Sequence, residues 1–348
     1  MISDAISTDI FHLPKIDLHR HLEGSIRLST LMDIVKREAL DLPRDESSLA
    51  KMVQISSEDS WTSSNFLSKF KPLRDIYRSP EIIQRIVREA IHDAASDNIC
   101  YLELQFTPVA LSQARGFDYK DVIDWVTEAA AGTSHEVGLG LGLIPSINRH
   151  ESISMAELVA QLATDHQDKG VVGLGLAGNE AEFTAQPFEG VFQEAKESGL
   201  KLSIHAGEWS GADTVRHALE EMNADRIGHG IRILENQNTV SLARERRVIF
   251  EVCLSSNLHS GVVQQIQDHP LQAMIQAGLQ VTLNTDDPGV SNIRLSDEYR
   301  IAIKELGLSI TTLKALLFVA AQGAFLPVQE KRELEGKLKK EVFSTQGD

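Results

Sequence analysis

Short apolar runs rich in β-branched residues alternate along the chain with longer stretches in which apolar residues recur at every third or fourth position. The short runs are typical of strands and the longer stretches of amphipathic helices, so a repeated strand–helix unit is predicted. Such repetition favours an α/β protein with a parallel sheet. Eight strands are predicted, over residues 15–19, 99–106, 137–144, 171–176, 201–205, 226–229, 248–254 and 279–284.

The intervening stretches are predicted to be helices. Their predicted ranges are 80–97, 118–131, 152–166 and 213–222. The first is preceded by Ser79 and starts with Pro80, a sequence typical of a helix N-cap followed by proline in the first turn.

About eighty residues separate the first two predicted strands, far more than a simple connection needs. Residues 28–78 are therefore predicted to form a helical insertion, which either closes over the pocket as a lid or only covers one end of the fold. Residues 308–347 are predicted to add further helices at the C-terminus.

Polar residues that could bind a metal ion or take part in catalysis follow the first, fifth, sixth and eighth predicted strands. In an open sheet, sites concentrate at one switch point near the middle, whereas in a closed barrel all strand ends meet at one pocket. Four contributors so far apart favour the barrel. The chain of 348 residues is predicted to be one domain, residues 1–348, with a (β/α)8 TIM-barrel fold.

The composition of the chain limits the classes of molecule that it is expected to bind. The formal net charge of −16 argues against nucleic acid as a partner. No apolar run approaches the ~20 residues of a membrane span, and the N-terminus has no basic segment before an apolar one. The two cysteines, Cys100 and Cys253, lie in apolar runs and are interpreted as reduced core residues. These features predict a cytoplasmic protein that binds a small molecule; they predict no particular oligomeric state.

Histidines at two strand ends are candidate metal ligands. His19 and His21 are two residues apart at the end of a strand, so their side chains share one face, in a geometry that zinc accepts. His205 ends the fifth strand, and Glu208 follows three residues later, where a general acid or base could reach a reacting atom. Taken singly, the histidine pair could be coincidental and Glu208 could be a charge at a helix N-terminus.

Two further strand ends add similar groups. His229 stands between two glycines and is either a metal ligand, a residue that orients a nucleophile, or a structural turn residue. Asp286 and Asp287 would repel each other in a pocket unless a cation or a donor engages one of them, although the same string is common in turns. Together, the four strand ends predict one metal-dependent active site.

These motifs resemble the adenosine and AMP deaminase family of the amidohydrolase superfamily. The resemblance extends over residues 13–326 and is most specific at residues 19–24, 205–208, 226–230 and 284–287. Further similar segments lie at residues 65–70 and 101–108.

The resemblance implies one catalytic zinc ion per chain. Its implied ligands are His19, His21, His205 and Asp286. The metal would bring the pKa of a bound water towards ~7, and the resulting hydroxide would attack C6 of a purine. Asp286 and His229 would orient this hydroxide. Glu208 would protonate N1 and help carry protons to the departing ammonia.

The resemblance also implies the substrate contacts, which are His21, Glu23, Gly178 and Asp287. Asp287 would hydrogen-bond N7, the backbone N–H of Gly178 would face N3, and Glu23 would hold a ribose hydroxyl.

Three positions depart from the family pattern, which often has acidic residues where this chain has Gly175 and Asn179, and arginine where it has Gln105. None is an implied ligand, so the departures bear on the support of the site and on substrate choice. Glu23 stands where a shorter aspartate is usual. Binuclear hydrolases of the superfamily place a lysine on strand four, and residues 171–178 contain none, which favours one metal ion.

The predicted function is hydrolytic deamination of adenosine and deoxyadenosine, with inosine and ammonia as products for adenosine. The alternatives are deamination of adenine or of an adenosine-like metabolite such as aminodeoxyfutalosine. A catalytically silent protein that binds zinc or purine is a remote alternative, because it should have lost Glu208, His229 or a ligand, and all are present.

Overall fold

The computed structural model of this protein describes residues 10–343. Residues 1–9 and 344–348 lie outside this part, and with them the ends of the predicted domain and most of the N-terminal segment. Eight parallel strands pair in chain order. They are β1 (Lys15–His21), β2 (Ile99–Phe106), β3 (Gly140–Asn148), β4 (Gly173–Ala177), β5 (Lys201–Ala206), β6 (Arg226–His229), β7 (Ile249–Val252) and β8 (Gln280–Leu283).

The chain just beyond β8 returns to β1. The N–H of Asp286 donates to the carbonyl of His19, and the N–H of His21 donates to the carbonyl of Asp286, both at 2.8 Å. A parallel bridge pairs Arg20 with Asp286, and the side chain of Asn284 accepts from the N–H of Leu18 at 3.0 Å. The predicted (β/α)8 barrel is confirmed.

Helices connect the strands and surround them. They are α1 (Leu28–Arg37), α2 (Glu46–Val53), α3 (Ser63–Ser68), α4 (Phe70–Arg74), α5 (Pro80–Ser96), α6 (Pro108–Ser112), α7 (Tyr119–Val137), α8 (Ile153–Asp165), α9 (Glu189–Glu197), α10 (Ala212–Glu220), α11 (Gln237–Arg246), α12 (Leu254–His259), α13 (Leu271–Gln276), α14 (Pro288–Ser291), α15 (Leu295–Lys304), α16 (Ile310–Gly323) and α17 (Val328–Phe343). Short 3-10 turns lie at Gln167–Lys169, Gln186–Phe188, Ile233–Glu235 and Ile266–Asp268. None of these described helices has both the length and the apolar character that crossing a bilayer demands.

The N-terminal signal predicted for α5 is present. The hydroxyl of Ser79 accepts from the N–H of Ile82, and Pro80 occupies the first turn. The apolar face of α5 is fully buried, which follows from the periodicity of its sequence.

Strand β3 differs from its prediction. The sequence pattern placed its start at Val137, but α7 runs through that residue and ends where Gly138 adopts a left-handed conformation with φ of 69°. Glycine in this conformation is a common helix stop, and the strand therefore starts at Gly140. Strand β4 starts at Gly173, while Val171 only bridges to Leu143.

The predicted insertion contains α1 to α4 and lies against the carboxyl ends of the strands. The N–H of Ile55 donates to the carbonyl of Val290 at 2.8 Å, and the side chain of Gln54 donates to the carbonyl of Gly289 at 3.1 Å. Within the insertion, the buried ammonium of Lys69 lies 2.8 Å from a carboxylate oxygen of Asp59. The insertion lies beside the barrel mouth and lines part of it, and its movement as a lid stays a prediction.

A buried charged group fills part of the barrel interior. The guanidinium of Arg226 pairs with the carboxylates of Glu103 and Glu251, and all three side chains are almost fully buried. The ring of Phe325, which follows α16, lies 3.5 Å from the Arg226 guanidinium carbon. The predicted C-terminal helices thus lead to a segment that packs against the barrel core.

Candidate active site

A cavity opens at the carboxyl ends of the strands. Residues from the strand ends form its floor, and the insertion forms one wall with Phe66, Phe70 and Leu73. Sites of (β/α)8 enzymes lie at this end of the barrel, because the connections from strand to helix converge there.

Four side-chain atoms converge at the floor of the cavity. The Nε2 atom of His21 lies 3.3 Å from Nε2 of His19 and 3.3 Å from Nε2 of His205. Oδ1 of Asp286 lies 3.4 Å from Nε2 of His19 and 3.3 Å from Nε2 of His21. Ligands at about 2.0–2.1 Å from a tetrahedral ion lie about 3.3–3.4 Å apart, so this arrangement fits one tetrahedrally bound cation.

A second, looser group exchanges His21 for His229. One ligand atom from each of His19, His205, His229 and Asp286 lies within 4.8 Å of the others. Nε2 of His229 is 3.8 Å from Oδ2 of Asp286, however, which is longer than the spacings around His21. His229 therefore lies beside the tight cluster, and the group that contains His21 is the better cation site.

The orientation of His19 is set by Glu251. Nδ1 of His19 lies 2.7 Å from a carboxylate oxygen of Glu251, which also accepts from the hydroxyl of Ser203 at 2.8 Å. Burial raises the pKa of Glu251, but Arg226 and His19 more than offset this and hold it low, so the carboxylate is ionised. When Nδ1 of His19 donates its hydrogen to Glu251, Nε2 is the ring nitrogen that faces the cluster and can bind a metal ion.

The two adjacent aspartates differ in charge. Burial alone would raise the pKa of Asp286, but hydrogen bonding to His19 and the neighbouring imidazoles hold it well below its usual range. Burial raises the pKa of Asp287 well above its usual range, and the charges of Asp286 and Glu23 add to this. Asp286 is therefore an ionised candidate ligand, while Asp287 is a neutral acid that can donate a hydrogen bond.

Glu208 is a buried acid beside the cluster. Burial raises the pKa of its carboxyl well above the usual range, and the charges of Asp286 and Glu180 raise it further. Its Oε2 lies 3.7 Å from Nε2 of His229, and its Oε1 lies 3.5 Å from the amide nitrogen of Asn257. A protonated carboxyl in this position can supply a proton to a bound molecule.

The loop that carries Glu208 is held by the carboxylate of Glu180. This carboxylate accepts from the N–H groups of Gly207 at 2.7 Å, Glu208 and Trp209 at 3.0 Å, and Ser210 at 3.1 Å. The hydroxyl of Thr214 also donates to it, at 2.5 Å. One buried side chain therefore fixes four consecutive backbone groups of the loop after β5.

Unpartnered polar atoms line the cavity. Within residues 10–343, Oε2 of Glu23, Oδ1 of Asp287, the hydroxyl of Tyr77 and Nε1 of Trp209 are buried without a hydrogen-bond partner. Buried polar groups are normally paired, so these atoms are candidate contacts of a polar ligand. The other oxygen of Glu23 accepts from the N–H of Thr107 at 2.6 Å, and burial raises the pKa of this carboxyl to about 7.

Gly178 follows β4 and lines the same cavity in a left-handed conformation with φ of 96°. The structure therefore brings together every predicted site residue. Five further residues at the site were not singled out from the sequence. Glu180 holds the loop of Glu208, Glu251 contacts His19 and Asn257 contacts His229. His269 contacts Asn257, and Arg74 of the insertion lines the cavity. Their residue types and spacing are ordinary, and only the fold places them at the site.

The three positions that depart from the family pattern are partly explained. The amide nitrogen of Gln105 lies 3.3 Å from Nδ1 of His19, and its oxygen accepts from the hydroxyl of Ser146 at 3.2 Å. A Cβ atom at Gly175 would lie 2.4 Å from that hydroxyl oxygen, so Gly175 leaves the space that Ser146 and Gln105 occupy. The side chain of Asn179 accepts from the N–H of Ala181 at 3.1 Å, away from the cluster.

Comparison with known proteins shows the family of this chain. A family model described as adenosine deaminase matches residues 14–341. An adenosine deaminase of Clostridium perfringens is 31% identical over 327 residues, which cover 94% of this chain and 98% of that protein.

Two solved structures are similar over most of their lengths. Adenine deaminase from Arthrobacter aurescens has a TM-score of 0.87 at 26% identity and covers 95% of this chain and 99% of its own. Arabidopsis N6-mAMP deaminase has a TM-score of 0.85 at 28% identity, with 96% and 99% covered. With its barrel, its site and the match to residues 14–341, this chain belongs to the adenosine deaminase family of enzymes.

Proposed function

We propose that this enzyme catalyses the hydrolytic deamination of adenosine and deoxyadenosine, releasing ammonia and leaving inosine or deoxyinosine. The observation that carries the proposal is the tight group of three imidazole nitrogens and one carboxylate oxygen beside the buried acid Glu208. Such a group provides a metal site and a proton donor within one cavity.

We infer that the metal is one zinc ion, held by His19, His21, His205 and Asp286. Three nitrogen ligands and one oxygen ligand at tetrahedral spacing suit zinc better than magnesium or calcium, which prefer more oxygen ligands. When bound, zinc supplies the acidification of a water molecule at neutral pH. The carboxylate of Glu251 supports this assignment, because it fixes the ring of His19 with Nε2 towards the site.

The proposed role of Glu208 is proton transfer. In its protonated state, it donates to N1 of the purine ring, which makes C6 more electrophilic. It then returns to the ionised state and can relay the proton of the attacking water to the departing amine. The raised pKa supports this role, because a carboxyl with an ordinary pKa would be ionised at neutral pH.

The proposed substrate contacts follow from protonation states. N7 of a purine accepts hydrogen bonds, and neutral Asp287 can donate one to it. The unpartnered oxygen of Glu23 is proposed to bind a ribose hydroxyl, and the N–H of Gly178 to face N3. His21, as a ligand on the cavity side, is proposed to contact the substrate as well.

A second candidate substrate class has an anionic group attached to the sugar. Arg74 lines the cavity next to the apolar wall of the insertion and forms no ion pair within residues 10–343. A cation without a protein partner favours a ligand with a phosphate or carboxylate group. The Arabidopsis structure is named as a deaminase of N6-mAMP, which is a nucleotide, and this supports the second candidate. Aminodeoxyfutalosine, with a carboxylate on an aromatic ring, also belongs to this class.

A substrate panel tests both candidates. We expect the zinc-loaded protein to convert adenosine and deoxyadenosine, with release of ammonia and a change in ultraviolet absorbance, faster than adenine, AMP, N6-methyl-AMP or aminodeoxyfutalosine. Higher kcat/KM for one of the three anionic compounds would favour the second class. In that case Arg74→Gln should lower kcat/KM for the anionic substrate by at least about tenfold and leave kcat/KM for adenosine unchanged.

Metal analysis, together with the substrate panel, tests the alternative of a catalytically silent protein. Metal analysis should give one zinc ion per chain in active protein, and removal by a chelator should abolish turnover until zinc is restored. Absence of both bound metal and turnover on every aminopurine would contradict the proposal and favour a protein without catalysis.

A further inference from the structure

A chain of hydrogen bonds runs from the backbone to His229. The N–H of Leu271 donates to Nδ1 of His269 at 3.1 Å. Nε2 of His269 lies 3.2 Å from Oδ1 of Asn257, and Nδ2 of Asn257 lies 3.1 Å from Nδ1 of His229. The three side chains are buried, so water does not compete for these contacts.

The first bond sets the direction of all the others. A backbone N–H can only donate, so Nδ1 of His269 accepts and a neutral His269 carries its proton on Nε2. That proton is donated to an oxygen, which must be Oδ1 of Asn257. The amide of Asn257 therefore presents its nitrogen, a donor, to Nδ1 of His229.

We infer that Asn257 and His269 are positioning residues that fix His229 as the tautomer with its proton on Nε2. This nitrogen faces the site, 3.8 Å from Oδ2 of Asp286 and 3.7 Å from Oε2 of Glu208. His229 thus donates a hydrogen bond to an oxygen atom that binds between them and does not accept a proton from it. The catalytic consequence rests on the proposed function, whereas the tautomer itself does not.

The helix that carries Asn257 is held at its N-terminus by a buried side chain. Asn257 lies on the short helix α12, whose first two N–H groups, at Leu254 and Ser255, donate to the buried carboxylate of Glu298 at 2.6 Å and 3.1 Å. This contact ties the helix to α15. The amide of Asn257 cannot turn over without breaking its bonds to both histidines, because each end of the amide then faces a group of the wrong kind.

A direct measurement tests the tautomer in the zinc-loaded protein without substrate. With ¹⁵N-labelled histidine, protonated and unprotonated ring nitrogens have well-separated chemical shifts, and the signals of His229 are assigned by their absence from a His229→Gln variant. We expect a protonated Nε2 and an unprotonated Nδ1. The opposite assignment, or a ring protonated at both nitrogens, would overturn the inference. A protein with the expected tautomer and no turnover would contradict the proposed function alone.

Variants test the catalytic consequence. Asn257→Asp keeps the size of the side chain but offers only acceptors when ionised, so the proton of His229 moves to Nδ1. We expect kcat/KM to fall by about 10²-fold or more with the zinc content unchanged. The ¹⁵N chemical shifts of His229 should then show a protonated Nδ1 and an unprotonated Nε2. Unchanged kcat/KM in the zinc-loaded variant would contradict this role.

A matched pair at position 269 separates positioning from packing. His269→Gln can still donate to Asn257, whereas His269→Leu cannot, and both variants remove the imidazole. We expect the glutamine variant to keep the ¹⁵N pattern of His229 and most of the activity, and the leucine variant to lose both. Equal loss in the two variants, at equal thermal stability, would show that His269 acts only by packing.

Discussion

Asp286 and Asp287 are chemically identical neighbours that the fold drives to opposite protonation states. Asp286 lies among imidazoles, which stabilise its charge, while Asp287 faces other carboxyl groups and is neutral. Asp286 and His229 also share a left-handed backbone with φ of 59°, which is uncommon for residues other than glycine. Such conformations persist where the surroundings fix them, and functional sites are a common place for them.

A first prediction concerns Glu208. Replacing it by glutamine removes the transferable proton and keeps the shape of the side chain. We expect Glu208→Gln to retain zinc and lose about 10²–10⁴-fold in kcat, the usual contribution of a general acid. Metal analysis and steady-state kinetics of the same sample measure both. Near-normal kcat would remove Glu208 from the reaction, and loss of zinc would mean that it supports the metal site.

A second prediction concerns the space around Asp287. A Cβ atom at Gly24 would lie 1.8 Å from Oδ1 of Asp287, so Gly24→Ala must displace that carboxyl. We expect KM for adenosine to rise at least about tenfold with zinc retained, because a hydrogen bond to the purine is lost. Gly132→Ala is the control, since its Cβ has no neighbour within 4 Å. Unchanged KM in Gly24→Ala would contradict the contact between Asp287 and the purine.

Residue types explain which parts of the site could be predicted. The histidine pair and the adjacent aspartates at strand ends could be singled out as candidates, but each could be coincidental alone, and only their combination at four strand ends predicted a site. Asn257, His269 and Glu180 are not distinctive in sequence, and their roles arise only when loops from different strands meet. Gln105 and Gly175 showed a departure from the family pattern, but their shared packing with Ser146 required the structure.

Helices and strands followed the sequence pattern where one periodicity dominates. The fully apolar face and the N-cap of α5 made its bounds predictable almost to the residue. Strand β3 was misplaced at its start because Val137 continues an apolar run, while the helix stop depends on the conformation of Gly138. The periodicity of apolar residues does not predict loop conformations. The loop after β5 is an example, because its conformation depends on the carboxylate of Glu180, which is distant in sequence.

A third prediction concerns this loop. Glu180→Gln presents a donor amide to backbone N–H groups, so the loop should shift and kcat should fall, with zinc retained. The charges of Asp286 and Glu180 both raise the pKa of Glu208, and the glutamine variant removes one of them. In the proposed reaction protonated Glu208 is the active form, so activity should be lost as pH rises through its pKa. We therefore expect the alkaline limb of the pH profile to move to lower pH.

Two further variants serve as references for Glu180. Glu182→Gln removes an equal charge from an exposed position of the same segment and should leave kcat and the pH profile unchanged. Glu180→Asp keeps the charge and should recover part of the activity. An alkaline limb that stays in place in Glu180→Gln would mean that Glu180 acts on Glu208 through loop geometry only.

At the scale of the whole molecule, the site depends on closure of the barrel. Asp17 accepts from the hydroxyl of Thr285 at 2.7 Å, and Arg20 donates to the same hydroxyl at 3.1 Å, which joins the first strand to the segment after the last. Closure places Asp286 against His19 and His21, which are 265 or more residues away in sequence. The sequence could predict this meeting only through the fold, because no local pattern connects these segments.

The buried group of Arg226, Glu103 and Glu251 links stability to the site, and it carries the last prediction. Arg226→Met would leave two buried carboxylates without a counter-charge, which should lower the free energy of unfolding by about 3–5 kcal/mol in urea. Adding Glu103→Gln should recover part of this loss by removing one of the uncompensated charges. Arg216→Met, which removes an exposed ion pair with Asp213, should change the free energy of unfolding by no more than about 1 kcal/mol. Because Glu251 also orients His19, Arg226→Met should weaken zinc binding as well. Equal stability of the Arg226 and Arg216 variants would contradict the view that this buried group holds the barrel and its site together.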